Sequence, residues 1–257
     1  MEMILISFIA FVIAILTFFS GFGLGTLLTP VFMLYFPVEL AIALTGVVHL
    51  FNNIFKLFLV GKNVDLEVFI RFGIPAVFSA FLGAWLLVQL TDLQPLFSYM
   101  AFGKKIEIFP VKFTISILLF LFACLDLFPF LTQLKIEKKL LPLGGVLSGF
   151  FGGLSGNQGA LRTAFLMKAG LTKESLIATA VVVSTLVDIS RLSFYATGFW
   201  EAGLTEKLDL VFVVTAAGIL GSFLGNNLIK KITYSFLQKI VAVFLLLISI
   251  GMAVGIL

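Results

Sequence analysis

The sequence predicts an all-α integral membrane protein built as two inverted repeats, each made of a glycine-broken helix pair followed by three transmembrane helices. Three observations predict it. Of the 257 residues, 61% are hydrophobic and only 12% are charged, and mean hydropathy is +1.19, whereas a soluble domain is about half apolar and about a quarter charged. Apolar runs recur from end to end, with no polar gap wide enough for a soluble domain. The two halves also echo each other.

The apolar runs fall at 3–19, 24–36, 40–60, 67–90, 112–131, 141–155, 157–167, 174–198, 208–229 and 235–257. Crossing the hydrocarbon core takes roughly 20 residues, so 24–36 and 157–167 read as half-helices. Each follows a glycine cluster, Ser20-Gly21-Phe22-Gly23-Leu24-Gly25 in the first case and Gly149 to Gly159 in the second. Glycine costs about 1 kcal/mol per helical position relative to alanine, which marks both clusters as breaks. The first run, MEMILISFIA, has no basic residue before it and no small-x-small cleavage pattern, so it is expected to stay as a helix. Cys124 is the single cysteine; it cannot form an internal disulfide and reads as packing.

At an offset of 135, the stretch Phe36-Pro37-Val38-Glu39-Leu40-Ala41-Ile42-Ala43 lies over Leu171-Thr172-Lys173-Glu174-Ser175-Leu176-Ile177-Ala178, and Lys56 lies over Arg191. At an offset of 142, Ser79-Ala80-Phe81-Leu82-Gly83 lies over Gly221-Ser222-Phe223-Leu224-Gly225. The repeats are assigned to 1–131 and 132–257, within one membrane domain. Paired, interrupted segments in corresponding positions point to a transporter made of two structural repeats. If each broken pair returns to the side it entered from, the 135–139 loop (KIEKK), Lys168, Lys173, Lys230-Lys231 and Lys62 face the cytoplasm, as the positive-inside rule asks. Lys104, Lys105, Lys112 and Glu107, with Lys207, Glu201 and Glu206, then face the other side, as do both termini. The net charge of +4 is spread over short loops and speaks to topology, not to nucleic-acid binding.

Charged side chains within membrane spans are costly and mark pathways or paired sites. Spacings of three and four place His49, Asn52, Asn53 and Lys56 on one helical stripe, and Ser184, Asp188 and Arg191 on the matching stripe of the second half. The competing reading is that Lys56 snorkels to the interface and that Asp188 neutralises Arg191 from i−3. Arg162 lies in the first turn after Ser155-Gly156-Asn157-Gln158-Gly159, where unpaired backbone N–H groups and the helix dipole already favour an anion. A guanidinium there suits paired oxygens. The equivalent turn of the first half, Gly23-Leu24-Gly25-Thr26, has no arginine, so the site is asymmetric. The expected anion site therefore comprises Gly23, Gly25, Thr26, Asn52, Lys56, Gly156, Asn157, Gln158, Gly159, Arg162 and Arg191, with His49 and then Asp188 as the groups to carry a coupled proton.

These residues also carry a resemblance. The glycine break, short helix and Pro37-Val38-Glu39-Leu40-Ala41-Ile42-Ala43 segment, with its echo at Leu171 to Ala178, is similar to the TauE/SafE family of sulfite exporter-like proteins, also called the toluene sulfonate uptake permeases. The resemblance implies a multi-spanning plasma-membrane permease that moves sulfur oxyanions or organosulfonates, usually outward, without ATP hydrolysis. It also implies that the two breaks and the polar residues after them form the site.

Other classes compete. Gly153-Leu154-Ser155-Gly156 fits the G-x-S-G pattern of rhomboid-like proteases, which would make Ser155 a nucleophile, yet the only histidine lies on an earlier helix. A non-transporting scaffold would gain little from charges in lipid. No phosphate-binding G-x-x-x-x-G-K-[ST] loop is present, and one His and one Cys do not make a metal centre, so no cofactor is expected.

Overall fold

The computed structural model describes residues 2–18, 23–101, 103–128, 137–199, 204–228 and 234–256. The 131/132 repeat boundary lies outside these residues, as do Ser20 to Phe22, residues 135–136, Glu201 and Lys230-Lys231. Helices fall five to a half among the described residues. The first half has α1 (Glu2–Thr17), α2 (Leu24–Met33), α3 (Val38–Val60), α4 (Leu66–Thr91, with a π turn at Phe69–Gly73) and α5 (Pro110–Leu127). The second has α6 (Leu141–Ser155), α7 (Gly159–Leu166), α8 (Lys173–Phe199), α9 (Leu208–Leu228) and α10 (Tyr234–Ala253). α3, α4, α8 and α9 are long and apolar enough to cross a bilayer, which makes this a multi-span membrane fold.

The breaks fall at the glycine clusters. Gly156 takes the left-handed conformation at φ 73° and its N–H returns to the Gly152 carbonyl, ending α6 with a glycine cap. Gly23, at φ 79°, precedes α2. Both short helices are buried against longer ones: α2 packs on α3 and α1, and α7 on α6 and α8.

Packing crosses between the halves. The principal partners are α4 with α6, α1 with α9, α5 with α10, and α3 with α8. Glycine permits the first two seams. A methyl added at Gly145, Gly149 or Gly153 of α6 would run into the carbonyl oxygens of Phe72, Ala76 and Ala80 on α4, so the backbones themselves are in contact. The sequence echo at offset 142 lands on matching contacts: Gly83 of α4 meets the Phe150 carbonyl of α6, and Gly225 of α9 meets the Ile15 carbonyl of α1.

One element is absent from the sequence-based expectation. Between α4 and α5 the chain forms an antiparallel hairpin, β1 (Phe97–Ala101) and β2 (Lys104–Ile108), with Phe97 opposite Ile108. The Tyr99 hydroxyl donates to the Val254 carbonyl, tying the hairpin to the end of α10.

Candidate functional site

The buried ionisable groups collect where α3 crosses α8. Facing stripes on these two helices put His49 and Asn53 against Asp188: His49 Nδ1 stands 2.7 Å from Asp188 Oδ2, and Asn53 Nδ2 donates to the same oxygen at 3.3 Å. A carboxylate only accepts, so the histidine proton on this side sits on Nδ1. The other carboxylate oxygen takes two bonds from one guanidinium, Arg191 Nε at 3.0 Å and Nη2 at 2.8 Å. Asp188 thus neutralises Arg191 from i−3, one of the two readings the spacing left open. Arg191 Nη1 has no hydrogen-bond partner among the described residues. It lies at Gly156, where a Cβ would stand 2.8 Å from it.

Lys56 and Arg162 form a second group one turn away. Lys56 does not snorkel: it is 3% exposed, with its ammonium 5.2 Å from the centre of the Phe18 ring. Arg162 of α7 donates through Nη1 to the Ser184 hydroxyl of α8. Lys56, Arg162, Ser184, Asn53, Gly23 and Phe18 line a cavity of about 20 Å³, room for about one water. An anion of several heavy atoms therefore needs the walls to part.

The two breaks meet here. Gly25 stands against the Gly156 carbonyl, and the His49 ring packs on both Gly23 and Gly25. Asn157 is buried behind the second break with neither amide atom hydrogen-bonded among the described residues, and Gln158 Oε1 is likewise unpartnered. Thr26 and Gly159 lie within the two short helices. Asn52 is placed elsewhere: its Oδ1 accepts from Ser222 of α9 at 2.7 Å, turned from the cavity that Asn53 lines. Asn53 and Ser184, on the predicted polar stripes but outside the expected anion set, line this cavity together with Phe18. Tyr195, one turn beyond Arg191, adds a tie by donating from its hydroxyl to the Gly153 carbonyl.

Ser155 is not arranged as a nucleophile. Its hydroxyl donates to the Phe151 carbonyl at 2.9 Å and accepts the Asn157 N–H at 3.3 Å, while the imidazole is committed to Asp188. Among the described residues, no group of three His, Cys, Asp or Glu could hold a metal.

A helical multi-span fold with cations buried where two short helices meet is the arrangement expected of a membrane transporter. The model of the sulfite exporter TauE/SafE family matches residues 6–252, nearly the whole chain. The chain belongs to that family and is a multi-pass protein of the plasma membrane. No curated protein matches it.

Proposed function

We propose that the protein is an inverted-repeat secondary carrier for small sulfur oxyanions, sulfite or a compact sulfonate, moved outward through a site between the two breaks. The observation that carries this reading is a charge imbalance. Among the described residues, the buried basic and acidic side chains are Lys56, Arg162, Arg191, His49 and Asp188, three permanent or readily formed cations against one carboxylate. An excess of buried positive charge is costly, and a bound anion offsets it. The first helix of each half packs on the fourth of the other, and like helices pair at α3 with α8 and α5 with α10, as two halves related by an in-plane two-fold would.

On this reading Arg162 and Lys56 hold the oxyanion, Ser184 steadies Arg162, and the Asn157 and Gln158 amides with the first N–H groups of α7 complete the shell. Arg191 reaches the site through Nη1 alone, and Asn52 serves the α3–α9 contact. His49 and Asp188 are the groups placed to carry a proton. The test is efflux of a panel of oxyanions and sulfonates from proteoliposomes. A charge-assisted hydrogen bond contributes about 1.5–3 kcal/mol, so Arg162→Ala should lower flux about 10- to 150-fold at subsaturating anion. If Arg162→Ala and Arg191→Ala both leave every flux unchanged, the site is wrong.

A further inference from the structure

We infer that the anion and a proton cross in the same direction, with the proton carried on the His49–Asp188 pair; the inference rests on the anion-carrier reading above. Its basis is where the one buried carboxylate stands. Asp188 is the only buried carboxylate among the described residues, and it lies outside the cavity, with Arg191 on one oxygen and His49 and Asn53 on the other. The ionisable groups lining the cavity are both cationic, Lys56 and Arg162.

His49 joins these two groups. Its Nδ1 is on Asp188, while its Nε2 lies 2.8 Å from where a Cβ of Gly23 would stand, and Arg162 Nη2 is 3.7 Å from the same point. The far edge of the imidazole and the guanidinium therefore converge on Gly23, at the rim of the cavity. The charged groups around His49 are Asp188 and Arg191 from α8, Arg162 from α7 and Lys56 from its own helix. α2 contributes no ionisable side chain, and the acid in the first turn of α9, Asp209, is exposed.

The sign of coupling follows. Exchange of a proton for the anion requires that each exclude the other, as when the proton acceptor and the substrate compete for one cation. Here the acceptor lies behind the cavity and already has its own cation, Arg191. A proton taken from water by the His49–Asp188 pair adds one positive charge beside Arg162 and Lys56 and strengthens their hold on an anion. Linkage then requires that the anion strengthen proton binding by the same factor. The doubly loaded carrier is the favoured form, and both ligands leave together on the far side. An inward proton gradient thus pulls the anion inward, and export runs on the anion's own gradient, with the membrane voltage contributing only for a dianion, whose complex with one proton keeps a negative charge.

The experiment uses proteoliposomes with a pH-sensitive dye in the lumen and the voltage clamped by a potassium ionophore. Sulfite is the substrate. Sulfate and methanesulfonate are added as probes whose charge is constant across about pH 5 to 8, the range in which histidine titrates. The expected result is that entry of a transported constant-charge probe acidifies the lumen; sulfite itself takes up or releases a proton near neutral pH and is used for flux alone. Apparent affinity for any transported constant-charge probe should rise about fivefold or more as pH falls across that range. His49→Gln should cut the proton-to-anion ratio at least about tenfold and flatten that pH dependence, and Asp188→Asn serves as a second variant. Alkalinisation of the lumen, no pH change despite probe entry, or an unchanged ratio in both variants overturns the inference. Failure of the carrier reading is distinct, because the wild-type protein would then move no anion.

Discussion

Gly25, at the start of α2, faces the backbone carbonyl of Gly156, which ends α6: a Cβ placed on Gly25 would stand 3.5 Å from that oxygen. Two glycine clusters about 130 residues apart in the chain thus form one contact. It brings the ends of two broken helices to the buried cations.

The glycines at this contact are not equivalent. Gly23 and Gly156 have φ of 79° and 73°, and a Cβ on either would stand 2.8 Å from His49 Nε2 or Arg191 Nη1 respectively. Left-handed backbone costs a non-glycine residue about 1–2 kcal/mol before any clash. Gly25 lies inside α2 and would make ordinary contacts. Thermal denaturation in detergent should show Gly23→Ala and Gly156→Ala destabilised by at least that amount, and Gly25→Ala equal to or above wild type. Equal midpoints for all three would mean that the breaks tolerate ordinary backbone.

The ion pair should behave as a unit. Asp188→Asn leaves Arg191 buried beside a neutral amide, and Arg191→Gln leaves Asp188 with His49 and Asn53 alone. Breaking a buried pair from one side costs about 3–5 kcal/mol. The double variant should lose clearly less stability than the two single losses combined. Additive losses across that cycle would show that the two residues stabilise the fold separately.

The helix seams give the third expectation. Gly149→Leu on α6 would drive a side chain into the Ala76 carbonyl of α4, and Gly221→Leu on α9 would do the same at Phe11 of α1. Overpacking costs about 1–3 kcal/mol even where side chains can move, and backbone cannot. Both variants should fail to give a monodisperse peak in size-exclusion chromatography. Gly61→Ala, whose nearest neighbours are Leu57 atoms at 3.8 Å, is the matched control and should elute as wild type.

Much of the helical frame was legible in the sequence because lipid imposes long apolar runs and glycine interrupts them. Run 141–155 is α6, and the short runs 24–36 and 157–167 contain α2 and α7. The hairpin was hidden because FSYMA and KKIEI are five-residue strands, too short for alternation to stand out in an apolar chain.

The site was only partly legible. Arg191 with Asp188 follows from i−3 spacing, but His49 with Asp188 spans 139 residues and needs the fold. Asn52 and Asn53 satisfy the same stripe, and successive residues point about 100° apart, so spacing could not decide which meets α8 and which meets α9.

The exchange of partners between halves also bears on synthesis. α1 precedes α9 in the chain, yet the seam it fills is completed by Gly221 and Gly225 of α9, about 200 residues later. At about 5–20 residues per second, α1 waits roughly 10–40 s in the bilayer before its partner exists. During that wait the surface of α1 at Phe11 and Ile15 has no α9 to pack against, and the seam between them closes only after the second half is made.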